Sequence, residues 1–488
     1  MRMIVLLVLL TFLTIESYAQ NIGDAIRYST YNLNGTARSV GAGGALGALG
    51  ADFSVLSTNP AGLAQFRRSE FVATPALLFN RTDAQMQEIG STQKETMTRF
   101  NFGSIGVVFA NRPNSLKWKT FNVGLGFNRL ANFNRRFASS GFTTGSITDQ
   151  WVIDANNGFF DNFANNLAIE AGAIYPDNNN TAFFTDFDLN PGAAFDHRQS
   201  FRSTGSLNEM VFAIAGNLNE RFLIGATLGI PFVSYNEERV YEEEEVNQDE
   251  IPAFEALRYE ENLSTSGLGI NFKLGMIFRL SQAIRLGAAI HTPSKLVLTD
   301  NFDTGLEYTY LENGGIFTGD VNSQEATFDY DFRTPWRFMA NAGFLINRSG
   351  FISAEIEWVN YSNGEFNLDK DGATQADRDY QVVLNNSIND NLGSAVNFRL
   401  GGEYAYKMLR FRAGYNIFGA AFDGDDANQT SFSLGIGSRF RNFYIDLAYK
   451  RSQIEESFAP YSLNGNFPIV VDTEERSDRY LLTFGFKF

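Results

Sequence analysis

Fourteen stretches of this chain alternate apolar and polar residues with a period of two, and their connections alternate short and long. The stretches are 70–80, 98–110, 118–131, 207–218, 221–236, 264–280, 283–299, 325–346, 350–366, 394–406, 409–418, 430–440, 442–455 and 477–488. Short turns fall at 111–117, Asn219-Glu220, Ser281-Gln282, Asn347 to Ser349, Lys407-Met408 and Arg441. The other connections are longer: 81–97, 132–206, 237–263, 300–324, 367–393, 419–429 and 456–476. A period of two means strands with two unlike faces. An even strand number, with short turns at one end and long loops at the other, is the pattern of a barrel crossing a bacterial outer membrane. The expected fold is therefore all-β and transmembrane: a 14-stranded antiparallel outer-membrane β-barrel whose ends meet on the periplasmic side.

The residue content agrees with alternation. The chain carries 47 Phe and 19 Tyr, yet its mean hydropathy is only −0.18, which excludes a bundle of apolar membrane helices. Lys plus Arg number 39 against 55 Asp plus Glu, a net charge of −16, so a nucleic-acid partner is not expected. There is no Cys, which suits an exported protein. Arg2, the apolar run Met3 to Ile15 and Ser17-Tyr18-Ala19 form a signal peptide pattern with cleavage expected before Gln20. The domain reading is a signal peptide over 1–19, an N-terminal plug over 20–68 and the barrel over 69–488.

Strand faces follow by parity. Phe443, Ile445, Leu447 and Tyr449 share one face of 442–450, and Tyr480, Leu482, Phe484, Phe486 and Phe488 share one face of the last strand. The same parity turns Arg285, His291, Glu355, Glu357, Arg399, Glu403, Arg410, Arg412, Asp446 and Lys450 toward the lumen, because a charge facing lipid costs up to a few kcal/mol. Mixed signs suggest ladders of pairs that stiffen the wall, with substrate binding as the alternative.

Thr36 to Ala64 is rich in glycine and alanine, and Arg38 and Asp52 are its only charged residues. Small residues let a backbone turn tightly and lie against other surfaces. Pro60 and Asp52 break any membrane helix, so the stretch reads as a compact plug inside the barrel. Ile22 to Tyr31 precedes it as a short helix, and Asn59 is held extended by Pro60.

Asn59-Pro60-Ala61 in this glycine setting resembles the N-terminal hatch of the FadL/TodX-type outer-membrane transporters. Further likeness lies in R-L-G-A-A-I-H-T-P at 285–293, T-P-W-R-F at 334–338, Trp358 to Ser362, R-L-G-G-E-Y at 399–404 and R-A-G-Y at 412–415. The resemblance runs from Gly23 to Phe488. It implies passive uptake of long-chain fatty acids or other hydrophobic small molecules, a movable hatch, and lateral exit beside an inward kink in the third strand. Carried over, Asn59, Pro60 and Ala61 are the hatch motif. Gly124 and Gly126, inward on the third strand between outward Phe121, Val123, Leu125 and Phe127, leave room for such a kink or for the packed plug. The family also contains a type IX secretion component that holds cargo proteins at the cell surface, which is the rival function. Outer-membrane lipid, lipopolysaccharide and the barrel assembly machinery are the expected surroundings of a monomer, and the aromatic last strand resembles the assembly signal.

The remaining motifs are weaker. The segment 132–206 could hold lid elements, with Phe159, Phe160, Phe163, Leu167 and Ile169 lining an apolar gate. Asn367 to Gly372 matches half a calcium loop but has Arg378 where a bidentate Glu belongs, and Asp423, Asp425 and Asp426 are a second acidic group. Glu242 to Glu245 reads as a solvated outer loop. Gly41 to Gly44 lacks the G-K-[S/T] of a phosphate loop, and His291 has no G-x-S-x-G partner, so no enzyme is expected. With only His197 and His291 for ligation, neither haem nor any other cofactor or metal is called for.

Overall fold

The computed structural model describes residues 20–87, 89–245, 251–347, 349–425, 428–463 and 469–488. The signal peptide reading, Asp426 and Arg348 in one of the turns lie outside them.

Fourteen staves form a ring. In chain order they are β1 Glu70–Met86, β2 Gln93–Asn111, β3 Trp118–Asn132 continued by Arg135–Thr144, β4 Ala194–Leu218, β5 Phe222–Glu244, β6 Phe254–Arg279 and β7 Ile284–His291 continued by Lys295–Glu312. Then come β8 Ala326–Arg333 continued by Arg337–Ile346, β9 Gly350–Asn360 with Glu365–Asn367, β10 Ser394–Tyr406, β11 Leu409–Phe418, β12 Gln429–Arg439, β13 Phe443–Phe458 and β14 Val471–Lys487. Each pairs antiparallel with the next, and β14 returns to β1, with Glu70 opposite Lys487. Closure pairs the first stave with the last, so neither is left as a free edge strand. The extra segment Gly315–Asn322 pairs only with β7, as a hairpin in the outer loop.

Two adjacent staves break at the same level for a shared reason. Pro293 and Pro335 have no N–H to give a ladder. The ladder is replaced there by Ser294 N donating to the Thr334 hydroxyl at 2.8 Å and Thr334 N donating to the Ser294 carbonyl at 3.0 Å.

Parity holds around the ring. Phe71, Phe121, Val123, Leu125, Phe212, Leu274, Ile356 and Leu447 are among the exposed apolar residues of the outer face, while Asn122, Asn341, Glu355, Arg412 and Asp446 are buried on the inner face. This apolar girdle is what faces lipid.

The outer ends depart from expectation. The staves rise well past the membrane, so the outer connections shorten, and the long one spans only 145–193. It contains α3 (Ile147–Asn156) and α4 (Asn165–Ala171), which pack Trp151 and Leu167 with Phe187, Phe195, Phe254 and Tyr308 into a closed aromatic core. The Glu242 to Glu245 reading is corrected in the same way. Glu242 to Glu244 finish β5, and Glu243 is buried, accepting from Ser146 Oγ at 2.6 Å and from Ile147 N at 2.9 Å at the start of α3. Of the supposed gate, Leu167 is core and Ile169 packs against it, Phe163 packs on Phe302, and Phe159 and Phe160 are exposed on the surface.

Candidate functional site

The described chain starts inside the ring. α1 (Ile22–Ser29) begins with a capping box between Asn21 and Asp24 and buries Ala25 and Tyr28 against inward residues of β5, β7 and β8. From the loop after β9, α5 (Gln375–Asn391) adds Leu384 and Ile388 to the same cluster, and Tyr380 donates to the Gln20 carbonyl at 2.5 Å.

Residues 36–66 then descend through the lumen as short capped turns. Thr36 caps α2 (Ala37–Gly41), Asp52 caps a 3-10 turn over Phe53–Ser57, and Asn59 caps another over Pro60–Gln65. Short oxygen-bearing side chains satisfy the free N–H groups of such turns. The glycines allow backbone to touch backbone: a Cβ on Gly401 would lie 1.9 Å from the Ala42 carbonyl, and one on Gly414 would lie 2.2 Å from Gly43 N. Plug glycine meets wall glycine because no side chain fits between them.

The Asn59-Pro60-Ala61 turn is seated in a recess of the same kind. On β6, a Cβ on Gly275 would lie 2.0 Å from Asn59 Oδ1, and on β5 a Cβ on Gly225 would lie 2.4 Å from the Pro60 carbonyl. Asn59 is fully buried; its Oδ1 accepts from Ala61 N at 3.2 Å. Its amide nitrogen faces the carbonyls of Gly47 (2.9 Å) and Met276 (3.2 Å) and the Asn341 side-chain oxygen (3.3 Å). One side chain thereby ties two turns of the segment to two staves.

The inward charges form two pair networks around this turn. Asn341 donates to Glu355 at 2.7 Å, Glu355 pairs with Arg399, Arg399 reaches Glu357 at 3.1 Å, and Glu357 pairs with Arg337 at 2.7 Å. Toward the periplasmic end, Arg412 bridges Glu403 (2.6 Å) and Asp446 (2.8 Å), with Arg38 of the plug 3.6 Å from Glu403. Arg410 lies at the rim, half-exposed, 3.9 Å from Glu403. Two further residues touch the plug backbone: Arg285 donates to the Leu49 carbonyl at 3.1 Å, and His291 Nε2 lies 2.6 Å from the Thr58 carbonyl. Opposite charges answered within the wall are tolerable in a low-dielectric interior, whereas an unanswered one is not.

Sequence reasoning missed a further inward group. Lys273 and Glu209 form a buried pair, and Glu209 also accepts from Ser57 Oγ at 2.7 Å. Their parity on long strands was the available signal. The two histidines are both engaged, His197 Nδ1 with the Tyr241 hydroxyl at 2.7 Å and Nε2 near the Thr143 carbonyl at 3.2 Å. In the loops, Asp369 pairs with Arg378 at 2.9 Å, the residue that stands in for the missing calcium ligand.

The wall is interrupted beside the third stave. β1 and β2 pair from Val108 along to Gln93, but β2 and β3 pair only from Asn111–Phe121 to Ser104–Asn128. Beyond Asn128, β3 bulges at Arg129–Ala131 and breaks at Phe133-Asn134. Across from the break, on β4, Gly205 has φ +129°, and a Cβ there would meet the Ser234 carbonyl at 2.0 Å. The continuation Arg135–Thr144 turns into the lumen: Asn80, inward on β1, donates to the Asn134 carbonyl, Arg135 donates to Thr473 of β14 at 2.7 Å, and Phe137 stacks on Phe201. Residues 93–103 of β2 are left with a ladder on one side only. Gly124 and Gly126 lie just below the interruption in an unbroken stretch of register, and the sites of their missing Cβ atoms lie against Leu56 and Phe53 of the N-terminal segment.

No family model matches the sequence, and no curated protein matches it. Among solved structures, a FadL homologue of Pseudomonas aeruginosa superposes with a TM-score of 0.55 at 12% identity, covering 94% of this chain and 100% of that one. The toluene transporter TodX of Pseudomonas putida gives 0.52 at 12% identity (94% and 100% covered). The toluene transporter TbuX of Ralstonia pickettii gives 0.51 at 14% identity (94% and 99% covered). These are transporters, not enzymes, and at such identities the likeness is one of fold. With its apolar girdle and closed ring, the chain is a Gram-negative outer-membrane barrel with the FadL/TodX-type fold.

Proposed function

We propose that this protein is an outer-membrane channel for hydrophobic small molecules, gated by residues 20–68 and emptied sideways between β2 and β3. The observation that carries the reading is the interrupted β2–β3 ladder, which leaves residues 93–103 of β2 without backbone pairing to β3. A ligand with an apolar body gains about 0.8 kcal/mol for each methylene kept out of water, so an exit facing lipid is downhill and a polar exit is not. Fatty acids and monoaromatic hydrocarbons are the candidate substrates, the latter because the matched transporters carry toluene. A seated N-terminal segment closes the lumen, and its displacement from the recess at Gly225 and Gly275 is the gating step.

The gating is tested with a removable lock. A Cβ on Gly343 would lie 3.6 Å from the Ala48 Cβ, close to the ~3.8 Å typical of a disulfide. The chain has no other Cys to compete. Uptake of radiolabelled oleate and toluene by cells making the Ala48→Cys/Gly343→Cys protein is expected to stop on oxidation and resume on reduction. Undiminished uptake by the oxidised protein would refute gating by the segment, and no uptake in either state or by the unaltered protein would refute the channel itself.

A further inference from the structure

The lipid-facing side of the wall carries a hollow of about 660 Å³ that the channel reading does not use. It lies on the outer face of β3 to β8, and the register explains it. One outward row runs Ile214–Ala226–Leu274–Ile290–Phe338, and the next row toward the periplasm runs Phe121–Gly216–Ile224–Met276–Ala288. Directly opposed residues share a face. Gly216, Ala226 and Ala288 are small where their neighbours are large, so the surface dips between Phe121 and Phe338. Trp118 leans in from the periplasmic side, because a Cβ on Gly216 would lie 2.5 Å from its ring. The ladders behind the hollow are continuous through both rows, so it is no opening into the lumen. It lies toward the opposite end of β3 from the interruption.

Below the hollow comes the outward row Leu218–Phe222–Phe278–Leu286, and below that the short turns. Lys117 and Arg221 are exposed there, on turns joined by Asn219 N donating to the Lys117 carbonyl at 2.8 Å. The Arg221 guanidinium lies over the outward Phe278 ring, 5.1 Å from its centre. Lys119 Nζ donates to the Leu116 carbonyl at 2.9 Å. Glu220, the acidic residue beside Arg221, is taken up by Arg67 at 2.8 Å and Arg279 at 2.6 Å. Among the described residues, Lys117, Lys119 and Arg221 form no ion pair with an acidic group.

Cations, aromatic belt and apolar hollow thus follow one another in the order of a phospholipid's phosphate, its interfacial region and its chains. The short turns face the periplasm, so the leaflet concerned is the inner one. A zwitterionic head brings its own cation to such a site, whereas an anionic head answers the three that stand without a partner.

We infer that this face holds an anionic phospholipid of the periplasmic leaflet, its phosphate at Lys117, Lys119 and Arg221 and an acyl chain in the hollow between Trp118 and Phe338. The lipid is a fixed neighbour of the wall and not cargo, and the inference stands or falls apart from the channel reading.

The chain has four Trp, so Trp151→Phe/Trp336→Phe/Trp358→Phe leaves Trp118 as the reporter of this site. The protein is reconstituted in dioleoylphosphatidylcholine, and Trp118 fluorescence is quenched with chain-brominated phosphatidylglycerol or chain-brominated phosphatidylcholine. A relative binding constant about fivefold or more in favour of the phosphatidylglycerol is expected. Lys117→Gln/Lys119→Gln/Arg221→Gln should abolish the preference, and Ala226→Phe/Ala288→Phe, which fills the hollow with all three cations in place, should reduce it. Trp336, exposed higher on the same face, should show none when it is the reporter instead. On the unaltered protein in a neutral detergent with equal amounts of the two lipids, native mass spectrometry should show phosphatidylglycerol adducts that the Gln variant loses. Equal quenching by the two lipids, the same preference at Trp336, or a preference untouched by the Gln variant or by filling the hollow would overturn the inference. Shielding of Trp118 from both lipids in a dimeric protein would give the hollow to a second copy and overturn it as well.

Discussion

Replacing Asn59 by alanine is the sharpest probe of how the N-terminal segment is held. The truncation removes the cap on Ala61 N and withdraws the donor that serves the Gly47 and Met276 carbonyls and the Asn341 side chain. Loss of an N-cap costs about 1 kcal/mol, and a buried acceptor left without a donor costs about 1–3 kcal/mol. Together they set the expected loss near ~3 kcal/mol, which is roughly a hundredfold in the equilibrium for unseating the segment. None of the lost bonds belongs to a ladder between staves, so the barrel stays closed. Hydrogen exchange reads the two separately, because amides exchange through the opening that exposes them. The amides of Gly50, Ala51, Thr58 and Gly62, bonded within the segment, are expected to exchange about a hundredfold faster. Those of the β9–β10 ladder are expected to hold their rates. Gly275→Ala attacks the same seat from the wall, since its Cβ would meet Asn59 Oδ1 at 2.0 Å and Pro60 Cδ at 2.9 Å. Unchanged exchange in both variants, or equal acceleration in the segment and in β9–β10, would refute the reasoning.

Other outcomes follow from the same contacts. Arg399→Met strands the buried Glu355 and leaves Glu357 with Arg337 alone, at a cost of about 3–5 kcal/mol; the temperature at which the folded barrel unfolds on a gel should fall, and adding Glu355→Gln should recover part of it. Trp151→Ala opens a cavity beneath α3 worth about 3–5 kcal/mol, so exchange in 145–157 should rise while β9–β14 are unaffected. The outer core should also respond to pH through two opposed groups above the membrane. Burial pushes the Glu243 carboxyl up to about 7 and the His197 imidazole down to about 4. Glu243, raised in the folded state, favours folding increasingly as pH drops from about 7 toward the unfolded carboxyl range. His197, lowered, costs stability as pH drops from its unfolded value through about 4. In Glu243→Gln the protection of 145–157 should therefore decline steadily below pH ~6.5, and in His197→Gln it should rise between pH ~7 and ~4.5; the same profile in both variants would contradict the assignment.

Much of the architecture is legible in the residue order. A membrane-spanning strand must show lipid one face and the lumen the other, so Phe443, Ile445 and Leu447 alternate with Tyr444 and Asp446, and all fourteen staves follow at their expected places. The close seating of the Gly- and Ala-rich segment has a related reason: glycine lets backbone lie on backbone, as Gly43 does on Gly414. Outside the lipid this logic lapses. The outer halves of β4 to β7 bury residues against helices of their own loops, so Glu243 and His197 carry no readable alternation with lipid.

What the sequence by itself determined, then, is which residues face lipid and how many staves close the ring, because those are local requirements repeated every second residue. The tertiary structure alone decided that the third strand leaves the wall at Phe133-Asn134 rather than at the glycines below it. It also decided which cations find carboxylates. Arg399 and Arg479 read alike in sequence, yet register sets one opposite Glu355 and the other opposite Lys450. Pairing across a ladder depends on residues far apart in the chain, and no local pattern encodes it.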